Sequence, residues 1–208
     1  IGTATAGPIQ NVRILNNQVT RAHLGGLCIE SVDGSAVSDI TVKGVTLEDC
    51  MHPIFIRLGA RLAFANSGID KPGSITGVTI ENVIVTPTKR GKTAPTWGRG
   101  WDEPSCTITG ITRKDLGEIS FKNLRIVMPG GIATAVPDPK ENDKDYPQSS
   151  LFGRIPASVF FIRHAERVRF ENIEVGTANP DSRPWLRSVN AKFEEKDIKQ
   201  LGVVAAVK

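Results

Sequence analysis

With 208 residues, 39% of them hydrophobic and 23% charged, the chain has the composition of an ordinary soluble protein, long enough for one core or one long repeat array without cross-links. No apolar run approaches the roughly 18–20 residues of a membrane span, so none is expected. The 26 Lys+Arg against 22 Asp+Glu leave a net charge of +4, which mildly favours anionic partners; the basic residues are dispersed, which argues against nucleic acid.

The chain starts at Ile1-Gly2-Thr3 as if in mid-element, with no initiator Met and no signal pattern, so it is read as a fragment. The next residues open a repeat. Asn11-Val12-Arg13-Ile14-Leu15-Asn16-Asn17-Gln18-Val19 returns as Asp39 to Leu47, Gly77 to Val85, Glu118 to Ile126 and Arg167 to Val175. The template is apolar, x, apolar, x, Asn or Gly, apolar, x, apolar. Two period-2 strands therefore meet at a corner, and Asn and Gly suit it because both tolerate the left-handed backbone conformation. Copies begin at 11, 39, 77, 118 and 167, spacings of about 28, 38, 41 and 49 residues. The expected fold is all-β, a right-handed single-stranded parallel β-helix over residues 1–187, as an incomplete stack lacking its N-terminal coils.

A second strand of each coil falls between the repeats: Leu27 to Ser31, Pro53 to Leu58, Cys106 to Ile108 and Val159 to His164. Their aliphatic set (Leu27, Ile29, Ile54, Ile56) is expected inside. The alternate set is expected to line one outward face: Cys28 and Glu30, Phe55 and Arg57, Thr107, then Phe161 and Arg163. Insertions at 60–73, 86–105 and 128–156 would wall a cleft beside it. The polar stretch Pro137 to Pro147, with Asp138, Glu141, Asp143 and Asp145, lacks the Gly of an EF-hand loop and reads as a solvated excursion. After Val175 the repeat stops, and 188–208 reads as a cap or tail, with Lys192 to Gln200 as a short helix or cap and the ending as native. Cys28, Cys50 and Cys106 suggest neither a zinc site nor a disulfide scaffold; no metal or cofactor is expected, and no oligomeric state is specified.

On the candidate binding face, Arg57 and Arg163 suit a bidentate grip on a carboxylate, or else pair with a nearby acid such as Glu30. His52, His164 and His23 are either donors to a ligand or structural. Trp97 and Trp101, in a Gly-rich loop, either stack on sugar rings or pack the loop. Cys28 as a nucleophile would need a neighbouring base and a positive setting.

The strings "NVRILNNQV", "GLCIESVDGSAVSDITVKGVTLEDC" and "HPIFIRLGAR", with the loop strings "PSCTITGI", "NLRIVMPGG", "YPQSSLFGRIPASVFFIRH" and "NPDSRPWL", resemble the C-terminal half of glycoside hydrolase family 28, the polygalacturonase-like pectin hydrolases, in a bacterial branch. The likeness runs over roughly residues 1 to 187. It implies an inverting hydrolase acting on pectic polysaccharide or its oligosaccharides, secreted or periplasmic, in which one carboxyl protonates the glycosidic oxygen and another activates water. Ile1-Gly2-Thr3 is similar to a segment that follows the family's catalytic aspartates and Gly-His-Gly, so the catalytic residues are expected upstream of residue 1 and the isolated chain is expected to be inactive. This chain would supply the substrate side: Glu30, Arg57, Cys28, Phe55, Arg163, His52 and Trp101. The family has two cations where Cys28 and Glu30 stand, so this subsite is expected to take a neutral hydroxyl or to rely on a neighbouring Arg such as Arg57. The alternative is a non-catalytic β-helix that binds acidic polysaccharide. A lyase would need an acidic calcium cluster, which the strand faces lack.

Overall fold

The computed structural model describes residues 1–22, 24–87, 104–112 and 116–204. They form β1 (Ile9–Leu15), β2 (Gln18–Thr20), β3 (Gly25–Ser31), β4 (Ala36–Glu48), β5 (His52–Leu58), β6 (Ser74–Thr86), β7 (Cys106–Thr109), β8 (Leu116–Met128), β9 (Phe160–Thr177) and β10 (Leu186–Val203). The protein is all-β, with one parallel sheet in the order β1-β4-β6-β8-β9-β7-β5-β3; β10 adds to β9 and β2 to β4. Strand β9 belongs to both walls. Its first part, Phe160 to Arg163, pairs with β7 and its later part pairs with β8, so the sheet curls back on itself around the core.

The register follows the repeat. Val12 lies beside Ile40, Ile40 beside Val78, Val78 beside Ile119 and Ile119 beside Val168. Inside, Ile40, Val78, Ile119 and Val168 face Ile29, Ile56, Ile108 and Ile162 of the opposite wall in one continuous buried cluster. Phe121, Phe160 and Phe170 meet at centroid distances of 5.0–5.2 Å, and Trp185 packs edge-on to the latter two. Burying such rings is the largest single contribution a side chain can make here.

The corners have the backbone that the sequence pattern requires. Asn16, Gly44, Asn82, Asn123 and Asn172 all have φ between 53° and 67°. The Asn123 amide donates to Asn82 Oδ1 at 3.0 Å, and Asn172 donates to Asn123 Oδ1 at 2.8 Å, so the corner side chains form a ladder along the stack. Asn123→Ala removes both bonds and forces a Cβ-bearing residue without a local partner into the left-handed region. It should cost about 1–2 kcal/mol, and Asn123→Gly less, as read by urea unfolding. Unchanged stability in the Ala variant would refute the ladder's role.

The solvent face of the repeat carries alternating charges in register: Lys43 against Glu81, Lys122 against Glu171, and Lys196 against Glu171. Each exposed pair contributes little to stability, about 0–1 kcal/mol, but a one-residue slip would break the pairs and turn charged side chains toward the core.

The C-terminal expectation is corrected. Lys192 to Gln200 is no helix but the middle of β10, and the repeat continues past Val175 for a sixth turn. Phe193 pairs with Val168 and Ile198 with Ile173, and Asp197 takes the left-handed corner with φ 57°. Because this strand has a neighbour on one side only among the described residues, most of its residues are exposed. Among the described residues no helix is long and apolar enough to cross a membrane.

Candidate functional site

Alternation in β3, β5, β7 and β9 places the expected column in register on the side away from the core. Cys28 lies beside Phe55, then Thr107, then Phe161; Glu30 lies beside Arg57, then Thr109, then Arg163. The expectation that this face is open is not met. Phe55, Arg57, Thr107 and Phe161 have no exposed surface, Arg163 has 2% and Glu30 4%.

The cover is the insertion between β8 and β9. Its Leu151, Phe152, Ile155 and Ala157 form a second apolar cluster with Phe55 and Phe161, against which Cys28 and Val189 pack. Two apolar outward residues on a strand face need such a cover, because leaving them in water forfeits about 1.5–3 kcal/mol each. The insertion is held at its far end by Arg183, whose Nη1 donates to Ile155 O at 2.9 Å while its Nε and Nη2 grip Asp181 at 2.9 and 2.8 Å.

The two buried arginines are bound mainly by backbone carbonyls. Arg57 donates to Thr109 Oγ1 at 3.1 Å, Gly110 O at 3.0 Å and Asn142 O at 2.7 Å. Arg163 donates to Pro139 O at 2.7 Å and Lys140 O at 3.3 Å, with Glu141 Oε2 3.4 Å from its Nε. Both guanidinium groups stack on Phe152, 5.2 and 5.0 Å from the ring centroid. Burial disfavours the charge on Arg57 and brings its pKa down to about 10, with Asp143 opposing and Arg163 adding to the shift. The stretch Pro137 to Pro147 is thus only half the solvated excursion expected. Its side chains are largely exposed, but its inward carbonyls are ligands to the arginines. Its acids do not converge: Asp138 pairs with Arg187, and Glu141 with Arg163 and His164. Among the described residues no group of three or more His, Cys, Asp or Glu is placed to hold a metal ion.

His52, at the start of β5, is buried, and burial lowers its pKa to about 4 against the opposing pull of the Ser105 backbone; neither ring nitrogen meets the distance and angle of a hydrogen bond. His164 bonds Glu141 at 3.1 Å at the corner of β9. The three cysteines are free thiols, and Cys28 is pushed up to about 12, first by burial and then by Glu30, so it is no nucleophile at neutral pH. His23, Trp97 and Trp101 lie outside the described residues.

Where β3 and β5 end, polar groups converge at the surface. Residues 1–3 run against β3, and the Thr3 hydroxyl donates to Glu30 Oε2. The Glu30 carboxyl lies above its usual pKa, raised by burial and held back by Thr3 and by the charge of Arg61. Arg61 itself was not singled out by the sequence. Three residues beyond β5, it donates from Nε to Asp33 Oδ1 at 3.0 Å and from Nη2 to Asp33 Oδ2. The Ala63 amide adds a third bond to Asp33 at 2.9 Å. Burial alone would raise the Asp33 pKa, but these bonds outweigh it and hold the carboxylate below its ordinary range. Arg61 stacks over Tyr146, 5.1 Å from the ring centroid, and that ring is 56% exposed. The insertion reaches this point because Asp143 O accepts the Ala60 amide at 2.6 Å, crossing Gly59, where a Cβ would come within 2.7 Å of Val32 and 3.3 Å of Asp143 O.

Two shallow grooves lie elsewhere, about 380 Å³ along Asn82, Asn123 and Asn172 and about 400 Å³ beside Asp138 and Arg187. Their charged groups are already paired across strands or loops, as Arg125 is with Glu174 and Arg187 with Asp138. The partly open set is the one at Arg61 and Tyr146, with Glu30 buried beside it. No protein-family model, curated protein or solved structure matches this chain.

Proposed function

We propose that this chain is the substrate-side part of a pectin-directed, inverting glycoside hydrolase, built as a right-handed parallel β-helix of the polygalacturonase-like kind and acting outside the cytoplasm. The repeat in register and the loop strings quoted above support the fold and the resemblance. The single observation that carries the substrate class is the surface where Arg61 lies on the exposed Tyr146 ring, beside the buried Glu30 and its partner Thr3. A few convergent polar groups beside one aromatic face are what a saccharide needs for orientation and stacking. Asp33, locked in its ion pair and held below its ordinary pKa, is poorly suited as a general acid. The resemblance, which has the catalytic residues upstream of residue 1, is the ground on which the acid and base of an inverting pair, some 6.5–9.5 Å apart, are assigned outside these 208 residues.

The 208-residue chain is expected to bind trigalacturonate in a calorimetric titration and to release no reducing ends from polygalacturonate. Turnover by this chain would overturn the assignment of the acid elsewhere and move attention to Glu30, Asp33, Asp102 and Glu103. Absence of binding to any pectic oligomer would overturn the substrate class. A non-catalytic polysaccharide-binding protein is the second reading, favoured by the complete cover over the Arg57 and Arg163 face. A longer protein that includes the preceding coils separates the two by its activity.

A further inference from the structure

We propose that Arg61 and Tyr146 form a uronate subsite, with the Arg61 guanidinium taking the sugar carboxylate and the Tyr146 ring the sugar face, and with Asp33 as the positioning residue. This rests on the reading of the protein as pectin-directed.

A guanidinium has five N–H donors in a plane. Asp33 occupies one edge, the Nε and one Nη2 hydrogen. Among the described residues no other hydrogen bond to Arg61 is formed, so the end-on edge, Nη1 with the second Nη2 hydrogen, is left for a ligand. That edge presents two parallel donors, the pattern that matches a carboxylate. Asp33 has no exposed surface and receives the Ala63 amide as well, so the fork is fixed in orientation before a ligand arrives. Pre-ordering lowers the entropy lost on binding. Tyr146 belongs to a different segment, the insertion, and packs its ring under the guanidinium while leaving more than half its surface to solvent. The Asp33 carboxylate balances the guanidinium charge, so what the arrangement supplies next to β3 is an oriented pair of N–H donors, which the strand's own outward residues, Cys28 and Glu30, do not supply. Arg57 and Arg163 are enclosed and bonded to carbonyls, whereas Arg61 is placed to serve this strand end.

Trigalacturonate and its methyl-esterified form share rings and linkages and differ in charge, which makes them the probes. The wild-type chain should bind the acid at least several-fold tighter than the ester by calorimetry. Arg61→Lys keeps a cation against Asp33 but loses the fork; it should weaken acid binding roughly tenfold and leave the ester nearly unchanged. Tyr146→Ala should weaken both several-fold, and Tyr146→Phe neither. Thermal melting of each variant shows that it is folded; Tyr146 is exposed enough that its variants report even if Arg61→Lys is unstable. Equal wild-type affinity for acid and ester overturns the subsite, as does unchanged acid binding in both Arg61→Lys and Tyr146→Ala. In those cases pectic binding, and with it the broader function, still stands. A wild-type chain that binds neither probe overturns both.

Discussion

Arg57→Met should lower folding stability by about 3–4 kcal/mol, and the part of the molecule lost first should be the insertion over residues 137–157. The substitution keeps most of the volume, so little of this is a cavity effect. It removes the donors to Gly110 O, Asn142 O and the Thr109 hydroxyl, all at 2.7–3.1 Å. An acceptor left buried without a partner costs about 1–3 kcal/mol, and Gly110 lies in a fully buried stretch. One effect opposes this: an apolar side chain no longer has to hold a charge out of water, a burden visible in the Arg57 pKa of about 10. Two or three orphaned acceptors outweigh that relief, because the carbonyls of Gly110 and Asn142 are fixed in place and cannot all turn to water. Arg163→Met should cost less, about 2 kcal/mol, since one of its two carbonyl bonds is long at 3.3 Å and its Glu141 partner is exposed. Urea unfolding gives the size, and limited proteolysis gives the place, with cuts expected between residues 139 and 152. Wild-type stability together with wild-type resistance to cleavage would show that the insertion is held by its apolar cluster alone.

That dependence bears on what could be read from the sequence. The repeat was legible because each corner needs a left-handed residue, and Asn16, Gly44, Asn82, Asn123 and Asn172 mark the phase without help from the rest of the fold. The sixth turn was not, because an end strand has one neighbour and need not be apolar on both sides. Glu195 stands where Phe170 does in the preceding turn, and Asp197 replaces the corner Asn, so the template is diluted. The alignment of Cys28, Phe55, Thr107 and Phe161 followed from strand alternation, but their burial did not. The cover is a non-repeating segment whose first half is polar and whose contribution is made by backbone carbonyls, which carry no sequence signature. Two traces were present: Phe55 and Phe161 on an outward face, and the apolar run Leu151-Phe152 with Ile155 in the insertion. Arg61 carries no sequence signal because it follows β5 outside any alternation; Asp33 reaches it from the turn after β3 and Tyr146 from the insertion between β8 and β9.

The second large effect is a pH dependence carried by His52. Its ring is buried at the start of β5, neither nitrogen meets the geometry of a hydrogen bond, and its pKa in the folded protein is about 4 against 6.5 for a free imidazole, burial outweighing the opposing pull of the Ser105 backbone. The folded state therefore refuses a proton that the unfolded chain accepts. Between pH 6.5 and 4 the unfolded state binds more protons, so stability falls as the pH falls through that window and the dependence levels off below it. The gap amounts to about 3 kcal/mol in total, of which about 2 kcal/mol is lost by pH 5. Asp33, Asp138 and Asp181, all held below the ordinary value of 3.8, also lose stability on acidification, but mainly below pH 5. Glu30, raised by burial, acts in the opposite sense, its burial costing stability as the pH rises through its titration. His52 is thus isolated by comparing urea unfolding of the wild type and His52→Leu at pH 7, 6 and 5. Because the imidazole gives up only its interaction with the Ser105 backbone and leucine buries a comparable volume, the leucine variant should lie within about 1 kcal/mol of wild type at pH 7. At pH 5 it should be the more stable of the two, the wild type having lost the histidine's share. Parallel stability curves for the two proteins would mean that His52 is solvated or bonded in solution and that the dry site at the head of β5 does not exist.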